Sequence, residues 1–219
     1  MIFYSSVQVL GRFPSFDFET IRAEQSVARV PMAAAMQAGP VHARFVSALP
    51  QQWRSDPTVE IFSRLLWLKK GFYPLAPHYH CDWYLGPSKP KVETLMVLLG
   101  DGSRTEFVMG DLELPDEAPG SVQIPNRAAE QIAEGLRTER LRTWFLEPEQ
   151  LVLFDSHTWH RASPAETSGW RLLMRAIRGL PKEGEDAIRH RNPGPFTTVR
   201  NGYFPQTPEE QSRYEAYLR

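Results

Sequence analysis

The chain has 219 residues, a hydrophobic content of 42% and a formal net charge of −1. This balance provides no broad basic surface, which argues against nucleic-acid binding, and no apolar run reaches the length of a membrane span. The single cysteine excludes an internal disulfide, and the first residues lack the charged-then-apolar layout of a signal peptide. We therefore expect a cytoplasmic protein with one domain over residues 1–219 and leave its oligomeric state open.

The N-terminal region predicts an edge strand followed by short helices. Residues 2–10 resemble the strand, Phe18–Arg29 favours a helix that Pro31 ends, and the Ala-rich stretch 32–36 favours another. Thr58–Lys70 follows an Asp-Pro start signal and carries apolar residues near helical spacing. We expect a helix followed by a strand there.

The remainder of the chain predicts a series of short strands. Strand-like runs recur at 72–85, 92–99, 104–109, 121–125, 141–146, 151–155 and 170–178. Residues 127–135 favour a helix with Asn126 as N-cap, 181–206 a long loop, and 207–218 a C-terminal helix. Short strands with frequent turns predict a mainly β fold, a sandwich or jelly roll, with its core at about 70–180 and flanking helices.

The first candidate ligands lie on the strand predicted at 72–85. Because side chains alternate along a strand, His80 and Asp82 point to one face, and Cys81 and Trp83 point to the other. An imidazole and a carboxylate side by side on one face can bind a single ion. We interpret Cys81 as a small buried apolar residue.

A second polar cluster follows the strand predicted at 151–155. His160 lies just beyond that strand, and Arg171 and Arg175 share one face of the strand at 170–178. Two imidazoles and one carboxylate are the facial triad of non-haem Fe(II) oxygenases, which leaves three coordination positions open. A buried guanidinium requires an anionic partner, either a bound carboxylate or an internal acid such as Glu106.

These segments resemble the Fe(II)- and 2-oxoglutarate-dependent dioxygenases, a double-stranded β-helix (jelly-roll) family. His80, Asp82, His160 and Arg171 match the family's His-x-Asp, distal His and Arg in order and spacing. The resemblance is to the taurine dioxygenase-like and phytanoyl-CoA dioxygenase-like branch, and it covers about residues 70–180. His157 is a rival for the distal ligand, but His160 fits the family's strand exit and its spacing to the Arg.

The resemblance implies a role for each matching residue. His80, Asp82 and His160 are expected to bind Fe(II), and Arg171 and Thr105 to hold 2-oxoglutarate. Candidates for substrate contact are Arg175, which follows the first Arg by four residues, and the aromatic Tyr84 and Trp159, although aromatic residues more often pack in a core.

The implied reaction is hydroxylation of a small molecule or peptide, with succinate and carbon dioxide as co-products. One alternative is a cupin-type metal enzyme without 2-oxoglutarate, because His78 and His80 form a His-x-His pair. That alternative predicts that His78 is a ligand and that Arg171 has an internal partner. The other alternative is a non-catalytic jelly-roll binding domain.

Overall fold

A computed structural model describes residues 2–75, 79–82, 91–100, 102–113 and 123–180. Within these ranges the strands are β1 (Ile2–Ser5), β2 (Val7–Arg12), β3 (Val30–Pro31), β4 (Glu60–Leu68), β5 (Glu93–Leu99), β6 (Thr105–Glu113), β7 (Arg142–Leu146), β8 (Gln150–Asp155), β9 (His160–Ala162) and β10 (Gly169–Arg178). The helices are α1 (Phe18–Ala23), α2 (Met32–Ala35), α3 (Pro40–Ala48), α4 (Gln51–Arg54) and α5 (Gln123–Arg137). None of these helices has the length and apolar character needed to cross a bilayer. The loop and helix predicted beyond residue 180 lie outside the described residues.

The strands form two antiparallel sheets. The major sheet has the order β2-β8-β5-β10-β4-β3. In the minor sheet, β6 pairs with β7 along one edge, and with β9 and β1 along the other. From β4 onwards the chain alternates between the sheets except at β6 and β7, which follow one another in the minor sheet. The segment around His80 bridges to β9 before β5 returns to the major sheet. This is the strand order expected for a double-stranded β-helix, so the predicted mainly β fold class is confirmed.

The central strands of each sheet are buried on both faces, which creates three apolar layers, whereas the edge strand β2 is largely exposed. The inner layer lies between the sheets and includes Met96, Phe107 and Phe154. Helices α1 to α4 cover the outer face of the major sheet, where Phe45 and Trp53 pack on β5 and β10. Helix α5 covers the outer face of the minor sheet. Because successive side chains on a strand point to opposite faces, the position of a residue along its strand decides whether its side chain enters the space between the sheets.

The helices before β4 differ from the prediction in their bounds and in their number. Helix α1 begins after Asp17, whose Oδ1 accepts from the Thr20 amide at 2.7 Å. It ends at Ala23, so the predicted helix up to Arg29 was too long. Helix α2 matches the Ala-rich stretch. Helices α3 and α4 were missed, although Pro40 at the first helical position is an ordinary start signal.

Helix α5 corrects two further predictions. It begins at Gln123, so Asn126 lies within the helix rather than at its N-cap. The same helix takes up residues 123–125, the described part of the strand predicted at 121–125.

The predicted helix in Thr58–Lys70 was wrong, because β4 occupies Glu60–Leu68 as one strand. Its Ile61 and Leu65 pack against the helices, whereas Phe62 faces the inner layer. A strand buried on both faces shows no simple alternation of apolar and polar residues, which is why the sequence pattern misled.

Candidate metal centre

The structure brings His80, Asp82 and His160 together. Within the described part of the chain, they are the one group of His, Cys, Asp or Glu side chains that could hold an ion, with ligand atoms all within 4.8 Å of one another. The strand predicted at 72–85 was wrong for its described part, where His80 makes an isolated β-bridge and Asp82 lies in a bend. The side chains of His80 and Asp82 nevertheless reach the same cluster, as the sequence predicts. Two backbone hydrogen bonds between His80 and His160, at 2.9 and 2.8 Å, bring the second imidazole alongside the first.

The imidazole of His160 is oriented by its surroundings. Its Nδ1 lies 3.1 Å from the Thr158 carbonyl oxygen, so Nδ1 carries the proton and donates it there. The rings of Phe107 and Phe154 pack against it at centroid distances of 5.5 and 5.3 Å. The buried Nε2 has no hydrogen-bond partner and lies 3.4 Å from Asp82 Oδ2. An unprotonated nitrogen facing a carboxylate is the arrangement that a metal ion satisfies.

The Asp82 carboxylate is paired with a guanidinium and lies beside both imidazoles. Arg175 donates from its Nη1 to Asp82 Oδ2, and His80 Nε2 lies 3.9 Å from Oδ1. Burial alone would raise the pKa of Asp82, but the charge of Arg175, with further contributions from the His160 and His80 side chains, holds it well below its usual range. Asp82 is therefore a carboxylate at neutral pH. In the structure the Arg175 guanidinium forms an ion pair with Asp82. Its contact with a substrate stays a prediction.

Arg171 lies on the inner face of β10 and is only 3% exposed. Its Nε donates to the Ser103 carbonyl oxygen at 3.3 Å, and its Nη2 approaches Thr105 Oγ1 at 3.5 Å. Burial lowers the pKa of Arg171 to about 9, with further contributions from Arg175 and Arg64. The structure thus brings together the two residues predicted to hold 2-oxoglutarate, and both of these hydrogen-bond partners are neutral oxygens.

The turn before β6 places Ser103 against Arg171. Gly100 has a φ of +89°, and a Cβ at this position would lie 2.1 Å from the Trp170 carbonyl oxygen. Only glycine fits this close approach between the turn and the start of β10.

Sequence reasoning missed Arg64 on β4. It lies opposite Leu173, which separates Arg171 from Arg175 along the inner face of β10. Burial lowers the pKa of Arg64, and its charge contributes to the lowered pKa of Arg171. No local motif marks Arg64, and the register of β4 on β10 is what reveals it.

The internal partner considered for Arg171 was Glu106. The structure pairs Glu106 with Arg161 instead, at 2.6 Å, on the opposite face of the minor sheet. Neighbouring residues of one strand point to opposite faces, so Thr105 and Glu106 lie on different sides of the sheet.

Four other candidates lie elsewhere or outside the described residues. His157 is not part of the cluster; its backbone amide donates to Asp155 Oδ1, and burial lowers the pKa of its imidazole. Trp159, immediately before β9, packs in the layer under α5, away from the metal cluster. Tyr84 and His78 lie outside the described residues.

Cys81 also packs against the layer under α5. Burial, followed by the charge of Asp82, raises the pKa of its thiol to about 12. The thiol is therefore protonated at neutral pH. Its packing under α5 also directs it away from the metal cluster, in agreement with its predicted role as a small apolar residue.

No known protein family matches this sequence, and no curated protein matches it. Similar solved structures include AviO1 from Streptomyces viridochromogenes Tue57, which is 13% identical over 82% of this chain and 91% of that chain, with a TM-score of 0.44. EvdMO1 is 13% identical over 80% of this chain and has a TM-score of 0.42; this chain covers 55% of it, about half its length. EvdO2 from Micromonospora carbonacea var. aurantiaca, solved with 2-oxoglutarate, is 16% identical over 69% of this chain and 66% of that chain, with a TM-score of 0.38. These similarities are too low to assign the chain to a family.

Proposed function

We propose that the protein is an Fe(II)- and 2-oxoglutarate-dependent oxygenase that hydroxylates an organic small molecule or a peptide. The observation that carries the proposal is the buried Nε2 of His160, which has no hydrogen bond and lies beside Asp82 and a second imidazole. Two neutral imidazoles and one carboxylate match the donor preference of non-haem Fe(II).

In this proposal His80, Asp82 and His160 hold Fe(II). When bound, Fe(II) together with 2-oxoglutarate and dioxygen supplies the oxidising chemistry. The chain contributes orientation: Thr158 fixes the tautomer of His160, and Arg175 keeps Asp82 ionised. The aromatic rings around His160 exclude water from one side of the cluster.

Arg171 supports the choice of a dicarboxylate co-substrate. Its guanidinium is buried beside two neutral oxygen atoms, so a bound carboxylate would offset the cost of its burial. A planar guanidinium binds a carboxylate through two parallel hydrogen bonds, and the Thr105 hydroxyl can add a third.

The test is anaerobic titration of 2-oxoglutarate into the Fe(II)-loaded protein, followed by the visible charge-transfer absorption of the chelated metal. The wild type should develop the band, and His160→Ala should abolish it. Arg171→Met should raise the Kd for 2-oxoglutarate by roughly 10- to 100-fold, because a charge-assisted pair is lost.

The matched control is Arg178→Met, which removes a guanidinium from the same strand. Arg178 pairs with Glu93 at 2.8 Å and stacks on Trp53, both on the outer side of the major sheet. It should leave the Kd for 2-oxoglutarate unchanged. Iron binding without the band would contradict the use of 2-oxoglutarate and favour a cupin-type enzyme, whereas a wild type that binds no iron would contradict the metal centre.

A further inference from the structure

Directly behind the metal-centre histidines, on the outer face of the minor sheet, three polar side chains form a closed network. Tyr79 Oη donates to Glu106 Oε1 at 2.9 Å, and Arg161 Nε donates to Glu106 Oε2 at 2.6 Å. The Arg161 guanidinium also lies 4.4 Å from the centroid of the Tyr79 ring. Both oxygens of the Glu106 carboxylate are thereby bonded, and Glu106 is only 6% exposed.

Each member of this network is next in the chain to a residue of the candidate site. Tyr79 precedes His80, Arg161 follows His160, and Glu106 follows Thr105. Glu106 is paired directly with Arg161 in the sheet, and Phe107 with His160. Since neighbouring side chains on a strand point to opposite faces, the network and the metal cluster occupy the two faces of the same three strand segments.

The segment that carries His80 and Asp82 has few backbone ties to the sheet. Among the described residues, its backbone bonds to the sheet are the two hydrogen bonds with His160. Two such bonds fix His80 on the minor sheet, and the ion pair of Asp82 with Arg175 ties the segment to β10 on the inner side. Tyr79, through its contacts with both Glu106 and Arg161, adds an attachment on the outer face of the minor sheet.

We infer that Tyr79, Glu106 and Arg161 are positioning residues that hold the two histidines at the separation needed to bind one metal ion. The inference rests on the metal centre of the proposed function, but not on the use of 2-oxoglutarate. Outer groups that orient metal ligands affect metal affinity as well as stability. The Arg161 side chain is 33% exposed, so its pairing with the buried Glu106 gives little net stability after Glu106 is desolvated, and a role in local geometry explains the network better.

The experiment is anaerobic titration of Co(II) into the full-length protein, with Kd and the visible ligand-field spectrum measured at a temperature where every variant is folded. Glu106→Gln removes the charge that both partners share. Tyr79→Phe removes only the hydroxyl and keeps the ring beneath Arg161, so it should fold even if Glu106→Gln does not. The matched control is Glu93→Gln, which breaks the ion pair with Arg178 on the outer face of the major sheet.

We expect Glu106→Gln to raise the Kd for Co(II) by roughly 10- to 100-fold and Tyr79→Phe by roughly 3- to 10-fold, each with an altered Co(II) spectrum. Glu93→Gln should leave both readouts unchanged even though it loses a comparable ion pair. Folded Glu106→Gln and Tyr79→Phe proteins that bind Co(II) within twofold of the wild type would overturn the inference. A wild type that binds Co(II) but not 2-oxoglutarate would overturn the oxygenase proposal alone.

Discussion

At the scale of single residues, Arg171 illustrates how a binding group reduces the stability of the protein that carries it. Its folded-state pKa of about 9 lies below the ordinary value of 12.5, so the protonated form is disfavoured by folding. Below pH 9 the side chain is charged in both states, and the folded state bears the full cost. Between pH 9 and 12.5 the folded state releases its proton, and that cost declines.

Arg171→Met should therefore stabilise the metal-free protein at pH 7. Replacing a buried, poorly compensated charge with an apolar side chain should raise the free energy of unfolding by about 1–3 kcal/mol. Urea denaturation of the wild type and the variant measures this difference. A variant less stable than the wild type would show that the hydrogen bonds to Ser103 and Thr105 already compensate the charge.

The ionised form of Asp82, unlike that of Arg171, is favoured by folding. Its folded-state pKa lies well below the ordinary 3.8, so its ionisation contributes stability above about pH 4 that is lost as the pH falls through the folded-state value. In chelator-treated protein, Asp82→Asn should lower the free energy of unfolding by about 1–3 kcal/mol at pH 7, because Arg175 loses its acid. Urea denaturation at several pH values should show this loss shrinking below pH 4, and a loss independent of pH would contradict the ion pair.

The resemblance to the dioxygenase family, carried by the order and spacing of these residues, predicted His80, Asp82 and His160 as one cluster and Arg171 with Thr105 as another. Spacing could not predict that Arg175 binds Asp82 or that Arg161 binds Glu106, because these partners lie 93 and 55 residues apart. Both pairings depend on the registers of strands that only the folded sheets define.

At the scale of elements, the helices over the major sheet depend on a buried polar cluster beneath them. Glu24 Oε1 accepts from the Val41 amide at 2.8 Å, and Oε2 accepts from the His42 amide and contacts His42 Nδ1. The other ring nitrogen of His42 lies 2.7 Å from Ser63 Oγ on β4. Glu24 therefore caps α3 from a distant part of the chain, a role that no local N-cap pattern predicts.

Glu24→Gln should lower the free energy of unfolding by about 1–3 kcal/mol, because it weakens the buried hydrogen bonds of the carboxylate to His42 and to the first turn of α3. The contrasting control is Glu19→Gln, which breaks the exposed pair with Arg22 and should cost less than about 1 kcal/mol. Equal losses in the two variants, measured by urea denaturation, would rule out a special role for the buried cluster.

Gly39, immediately before α3, is the neighbour that makes this cap possible. A Cβ at position 39 would lie 2.4 Å from Glu24 Oε1, so any side chain there would displace the carboxylate. Glycine allows the acid to approach the helix terminus, where the backbone dipoles favour negative charge.

At the scale of the whole molecule, the two faces of the major sheet serve different purposes. The layer under α1 to α4 packs apolar side chains on the outer face, away from His80 and His160, whereas the layer between the sheets also packs against His160. Burial on both faces removes the apolar–polar alternation from the sequence of a central strand, but successive side chains still point to opposite layers.

Two buried phenylalanines test this separation, since Phe107 and Phe45 are both fully buried but lie in different layers. Phe107→Leu and Phe45→Leu should each lower the free energy of unfolding by roughly 1–3 kcal/mol through lost packing. Only Phe107→Leu should also weaken Co(II) binding, because the Phe107 ring packs 5.5 Å from the ring of His160 and restricts its orientation. Urea denaturation and Co(II) titration on the same preparations separate the two effects. Weakened Co(II) binding in Phe45→Leu would mean that the layers are coupled, and that the geometry of the metal centre depends on the whole core rather than on the layer between the sheets.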